Sequence, residues 1–241
     1  MALIRADKAL ADLGVASRKE LKAMIRSGRV TVDGKVITRP EEKLDTESAK
    51  ICLDGKALDY RRYHYYMMDK PAGVLSATED GKQNTVLDIL PPELKRQELF
   101  PVGRLDKDTT GLLLLTNDGD YAHRVISPKM GIVKKYLAQV DGELGEADRA
   151  AFKEGLVLGD GLHCLPAELE LLSPGWCHVY VMEGKFHQVK RMLASRGAPV
   201  QGLRRLSIGG LGLDPDLGPG GWKELTDAER DRVFVDPAID I

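Results

Sequence analysis

The first forty residues spell out a complete small module, and that stretch alone requires the chain to build more than one core. Leu3, Ala6, Leu10 and Leu13 recur at helical spacing up to Gly14, which predicts a first amphipathic helix. Ser17 then opens SRKE, a capping box in which the serine accepts from the Glu20 amide while the glutamate reaches back. The helix it starts has Leu21, Met24 and Ile25 as its apolar stripe and stops at Gly28. Val30 and Val32 alternate with Thr31, Asp33-Gly34 supplies a two-residue turn, and Val36 continues on the returning strand. Ile51, Leu53 and Asp54-Gly55 predict one more hairpin. The module is placed at residues 1–58, the polar DYRRYH segment at 59–64 reads as a linker, and a larger domain follows at 65–235. With 241 residues, 43% of them hydrophobic, the chain can fill that second core.

Charge divides in the same place. Residues 1–40 hold nine Lys/Arg against four Asp/Glu, a surplus of five, so a whole-chain charge of -2 leaves -7 on everything after. A second basic stretch, Lys185 to Arg205, contains Lys185, Lys190, Arg191, Arg196, Arg204 and Arg205 with no acidic residue among them. Two separate basic surfaces on an otherwise acidic chain suit a polyanion long enough to touch both. On the second helix Arg18, Lys22, Arg26 and Arg29 follow steps of three and four and should form one ridge.

In the larger domain strands are expected at Tyr65–Met68, Leu112–Leu115, Tyr136–Val140, Ala167–Leu171, His178–Met182 and Leu203–Ile208. Helices are expected near Thr85–Leu90, at Glu146–Glu154 and from His187 to Arg196, with a last short helix capped by the TDAE box at Thr226–Glu229. Adjacent strands with interspersed helices argue for α+β, a mixed, largely antiparallel sheet with flanking helices, and against a doubly wound fold.

Several chemistries are excluded. Charge begins at Arg5 and Asp7 and apolar runs are only a few residues long, as at Leu112–Leu115, so no signal peptide or membrane span is expected and the location is expected to be cytoplasmic. Cys52, Cys164 and Cys177 lie far apart and read as reduced structural residues. His64, His123, His163, His178 and His187 show no metal-ligand spacing, so no metal is expected. No glycine loop matches a nucleotide fingerprint, no cofactor is expected, and no nucleophile elbow is present.

What remains is carboxylate, lysine, arginine and tyrosine chemistry. It is densest in PVGRLDKDTTGLLLLTNDGD, residues 101–120, where a charged loop sits between an apolar lead-in and a buried strand that ends in the Asn117-Asp118-Gly119 turn. Asp106 lies in that loop beside Arg104, and the residues alone do not choose between Asp106 and Asp108. A glycoside hydrolase using that pair fails on geometry, because two carboxylates two residues apart on one loop rarely flank a bond at the roughly 5 to 10 Å required.

GRLDKDTTGLLLLTNDG resembles the central motif of pseudouridine synthases, within the RsuA/RluB/RluE/RluF family. DKPAG at Asp69–Gly73 resembles the family's first motif, KKY at Lys134–Tyr136 its tyrosine motif, and EGKFHQVKRM at Glu183–Met192 its third, all in the family's order. The N-terminal segment around ASRKELKAMIRSGRVTVDGK resembles the alpha-L RNA-binding module. The resemblance implies that Asp106 is the catalytic aspartate, Tyr136 the active-site tyrosine and Lys190 the cation beside Asp106, while Arg104 helps hold the flipped nucleotide. It implies RNA contacts by Arg5, Arg18, Lys22 and Arg26. Arg191, next to Lys190 on the same helix, is the rival for the place beside Asp106; the motif favours Lys190.

The activity so implied is isomerisation of uridine to pseudouridine in ribosomal RNA, with the free RNA or a subunit assembly intermediate as partner and a monomer as the working form. His187 and Lys190 within HQVKRM lean toward the branch that modifies small-subunit RNA. A large-subunit enzyme of the same family and a non-catalytic RNA-binding assembly protein are the alternatives.

Overall fold

In the computed structural model, residues 3–46, 49–58, 60 and 62–236 are described. They form two compact units, Met1–His64 with Leu90–Leu99, and Tyr65–Ile89 with Phe100–Ile241. Of the expected linker, residues 59 and 61 lie outside the described residues.

The smaller unit begins with strand β1 (Leu3–Arg5) and helices α1 (Ala6–Asp12) and α2 (Arg18–Arg26), followed by β2 (Val30–Val32), β3 (Lys35–Ile37), β4 (Lys43–Asp45), β5 (Ile51–Leu53) and β6 (Lys56–Leu58). Leu3 departs from its expected helix. It sits in β1 paired with Asp45 of β4 and is 58% exposed, so its apolar side chain adds nothing to the helical stripe. The capping box of α2 forms as read, with both arms present between Ser17 and Glu20. Asp33 and Gly34, at φ 49° and 80°, turn β2 into β3, and Asp54 and Gly55, at 49° and 79°, turn β5 into β6, which is the positive-φ pair that a two-residue hairpin requires. The strands order as β3-β2-β5-β6. Ala6, Leu10, Leu21, Ile25, Val30, Ile37, Leu44 and Ile51 close one core between helices and sheet.

The larger unit contains β7 (Tyr65–Lys70); the short helix α3 (Pro92–Lys95) belongs to the smaller one. Then come β8 (Phe100–Pro101), β9 (Thr110–Thr116), α4 (Gly119–Ile126), β10 (Lys134–Val140), α5 (Glu146–Glu154), β11 (Glu168–Leu171), β12 (Trp176–Val181) and α6 (Gln188–Ser195). The unit ends with β13 (Val200–Ile208), β14 (Leu211–Gly212), β15 (Trp222–Glu224) and α7 (Asp227–Arg232). Its sheet runs β11-β12-β10-β13-β9-β7-β15, with β14 beside β13 and β8 beside β9. The ladder between β13 and β9 is parallel and the rest are antiparallel, the mixed sheet of an α+β fold.

Two local expectations are corrected here. Residues 86–89 form turns after a bridge at Thr85, because the Asp88 carboxylate accepts from both the amide and the hydroxyl of Thr85 and so folds the chain back on itself. Asn117-Asp118-Gly119 is the start of a helix: Asp118 caps α4 by accepting from the amides of Asp120 and Tyr121, and Tyr121, Ala122 and Val125 bury the helix against Leu112, Leu114 and Ile208.

Candidate active site

The loop between β8 and β9 carries Arg104, Asp106 and Asp108, and it is held by the segment that follows β7. Lys70, the last residue of that strand, is wholly buried, and its Nζ donates to the carbonyls of Pro71 (3.1 Å), Asp106 (3.1 Å), Lys107 (3.3 Å) and Thr109 (3.0 Å). The Gly73 amide donates to the Lys107 carbonyl at 2.8 Å. Ser76 Oγ donates to the Leu105 carbonyl at 2.9 Å and accepts from the Leu105 amide at 3.1 Å. The loop's backbone polar groups thus spend themselves inward, which leaves the Asp106 carboxylate facing out. Burial lowers the pKa of Lys70 to about 8, against the pull of the Asp108 and Asp106 carboxylates.

The third motif lies on the other wall. His187 caps α6 in the left-handed conformation (φ 49°, ψ 31°), an uncommon state for a residue with a side chain. Its Nε2 stands 3.4 Å from one Asp106 oxygen, and Lys190 Nζ stands 3.2 Å from the other. Lys190 lies closer still to Asp108, at 2.5 Å. Burial alone would depress the pKa of Lys190, but hydrogen bonds to Asp108 and Asp106 outweigh it and raise the pKa above the ordinary lysine value. Asp108 moves down in turn, because Lys190 donates to it. Arg191 turns away to Asp160, 2.5 Å distant.

Tyr136 is 8% exposed in the middle of β10. Its hydroxyl lies 3.4 Å from Nη1 of Arg205, a buried guanidinium on β13 whose Nε also donates to the Leu112 carbonyl at 2.7 Å. Arg104, Asp106, Tyr136, His187 and Lys190 together line one cleft of about 60 Å³.

The RNA-contact residues named from the sequence lie in the smaller unit. Arg18, Lys22 and Arg26 are exposed along α2. Arg5 is engaged by Asp7 through two bonds of 2.9 Å. Sequence reasoning gave no role to Lys70 or Ser76, and it counted Arg205 in a basic surface, whereas that side chain is buried at 5% exposure. The signal for Lys70 was a lysine closing a strand that is otherwise nearly all apolar, inside a motif already singled out. Among the described residues no three His, Cys, Asp or Glu side chains gather as a metal site.

Residues 64–195 match the model for RNA pseudouridylate synthase, and residues 4–49 match the S4 domain. The chain belongs to the RNA pseudouridylate synthase family. Within that family it is 45% identical to the RNA pseudouridine synthase YtzG of Bacillus subtilis, over 94% of this chain and 96% of that one. It is 44% identical to ribosomal small subunit pseudouridine synthase A of Vibrio cholerae over 70% of this chain and 74% of that protein, and 40% identical to its counterpart in Escherichia coli K12 over 68% and 71%. A crystal structure of a pseudouridylate synthase superposes with a TM-score of 0.67 at 34% identity, covering 95% of this chain and 99% of the other. The family's activity makes this chain an enzyme that isomerises uridine in RNA, built from an S4 domain and a synthase domain.

Proposed function

We propose that this enzyme converts one uridine of small-subunit ribosomal RNA to pseudouridine, with Asp106 carrying the chemistry. The observation that carries the reading is the placement of the Asp106 carboxylate in a cleft shared with Tyr136, one oxygen 3.2 Å from Lys190 Nζ, on a loop whose backbone is clamped from behind. The substrate class follows from the similarity to small-subunit synthases of Vibrio and Escherichia. The partner is the ribosomal RNA itself or an assembly intermediate of the subunit, met in the cytoplasm. A monomer suffices, since a single chain supplies every residue of the cleft.

The reaction breaks the bond from ribose C1′ to uracil N1, turns the base, and joins C1′ to C5; the C5 proton leaves and N1 gains one, so the product is an isomer. An ionised carboxylate in contact with C1′ or C6 meets that demand, and Lys190 supplies the counter-charge that a closed pocket otherwise lacks. The Tyr136 ring offers a flat wall to hold the detached uracil while it turns. A cleft of about 60 Å³ is narrow for a nucleotide against the roughly 300 Å³ at the small end of ligand pockets, so it widens as the base enters, and the exposed Arg104 that lines it meets the phosphate. Arg18, Lys22 and Arg26, with Arg5 beside Asp7, bind RNA from the S4 domain.

The test is tritium release from small-subunit RNA labelled at C5 of uridine. Asp106→Asn is expected to release none while binding the RNA as before; turnover near wild type would remove Asp106 from its role. Mapping pseudouridine in ribosomal RNA from cells lacking the gene checks the substrate, which is wrong if the missing modification lies in the large subunit.

A further inference from the structure

Phe186 is 76% exposed, the most exposed of the large apolar side chains among the described residues. Single exposed apolar residues are ordinary on a protein surface, so exposure alone says nothing. Its mounting is the unusual part. The ring lies flat on that of His187, with centroids 3.8 Å apart and planes 18° from parallel. His187 in turn is held at φ 49° and reaches Asp106 at 3.4 Å. The turn beneath is tied down: the Lys185 amide donates to Gln188 Oε1 at 3.0 Å, Gln188 Nε2 donates to the buried Glu183 at 2.7 Å, and Lys185 Nζ pairs with Glu183 at 2.9 Å. Phe186 is therefore a ring displaced from the cleft wall by one stacking distance, with its outer face open.

Bases stack on aromatic faces at the same kind of separation, and every base offers such a face. His187 lines the cleft while Phe186 stands outside it, so the outer face of Phe186 is open to the base next to one delivered to Asp106. Extruding a base from a helix also leaves a gap whose unstacking cost has to be offset by new contacts.

We propose that Phe186 is the wedge that fills the place vacated by the target uridine, stacking on the adjacent base and holding the nucleotide in its flipped position. The proposal rests on the reading of Asp106 as the site of chemistry, and it concerns how a stacked substrate reaches that site.

The test compares two RNAs of one sequence, with the target uridine either paired in the stem or already extruded as a single-nucleotide bulge. Phe186→Ala is expected to lower kcat/KM on the paired target by roughly 10- to 100-fold, the range of one lost base stack, and on the bulged target by less than about threefold. Phe186→Trp, which keeps a stacking face, is expected to recover most of the loss on the paired target. Equal losses on both RNAs, or none on the paired one, would overturn the wedge. A 2-aminopurine placed next to the target separates this result from the chemistry: in Asp106→Asn its fluorescence should change on binding as in wild type, and should fail to change once Phe186→Ala is added. An active Asp106→Asn would sink the site assignment, while that fluorescence would still judge the wedge.

Discussion

Lys70 grips Asp106 by its backbone: the buried Nζ donates to the Asp106 carbonyl at 3.1 Å while that residue's carboxylate points into the cleft. One cation so fixes the loop without occupying the side chain meant to react. Lys70→Met keeps the length and removes the donor from four carbonyls, with a stability loss of about 1–3 kcal/mol expected from unsatisfied buried acceptors. The kcat on RNA should fall far more than KM rises, and the amides of residues 105–109 should exchange faster with solvent. A normal kcat would show that the loop holds its shape without the lysine.

Lys134 presents the opposite case. It is 7% exposed on β10, its Nζ has no hydrogen-bond partner among the described residues, and burial, with the Arg205 charge acting the same way, lowers its pKa to about 8. A lysine whose folded pKa lies below its unfolded value of 10.5 costs stability at neutral pH, where it is charged in both states. That cost is relieved as pH rises from about 8 to 10.5, because the unfolded chain then binds more protons than the folded one. Lys134→Met should therefore be more stable than wild type at pH 7, by about 1–3 kcal/mol, and the gap should shrink toward pH 10.5. Denaturant midpoints measured across that range check it, and a gap that widens with pH would refute the argument.

Gly111 sits where β9 meets β13 in parallel register, at φ +100°. A Cβ added there would fall 2.2 Å from the Arg205 carbonyl oxygen and 2.8 Å from its nitrogen, both backbone atoms that cannot step aside. Strain and clash act together in Gly111→Ala, and a loss above roughly 3 kcal/mol is expected. At this chain length that corresponds to about 6 to 12 °C in Tm. The neighbouring Arg205, which reaches Tyr136, would be displaced as well, so activity should fall even at temperatures where the variant stays folded. A Tm within a degree or two of wild type would show that the sheet opens freely at this point.

These residues also show what could be read without a structure. Capping at Ser17 and Thr226, both Asp-Gly hairpins and helix α5 were legible because each is decided within four or five residues by groups that bond to one another. The same local chemistry misled at Asp118 and Asp88. An aspartate that accepts from amides two and three residues on suits a turn and a helix cap equally, and only the buried surface that α4 covers decides between them. At the site, the motifs named Asp106, Tyr136 and Lys190, and the fold gathers all three in one cleft. Lys70 could be noticed as a lysine closing an apolar strand, but its role could not be read, because it satisfies carbonyls as far as 39 residues away, a relation that leaves no period in the sequence. The pairing of Arg5 with Asp7 was missed for a plainer reason: residues two apart do not face each other on the helix expected there, but here the chain leaves strand β1 for helix α1 between them.

The S4 domain offers a measurement that depends on charge alone. Arg18, Lys22 and Arg26 are exposed along one helix, whereas Arg29, expected on the same ridge, lies past the helix end at Arg26 and is held by Asp54 through bonds of 2.8 and 2.5 Å. Each phosphate contact contributes about 0.7 to 0.9 to the slope of log K against log salt. Replacing Arg18, Lys22 and Arg26 together by Gln should therefore flatten that slope by about 2 to 3. Arg29→Gln should change it less, since its guanidinium already has a carboxylate to neutralise. Binding of small-subunit RNA titrated across salt concentrations gives both numbers. An unaltered slope in the triple variant would mean that RNA lies on another face of the domain, and a larger change from Arg29 than from the three together would mean that RNA displaces Asp54.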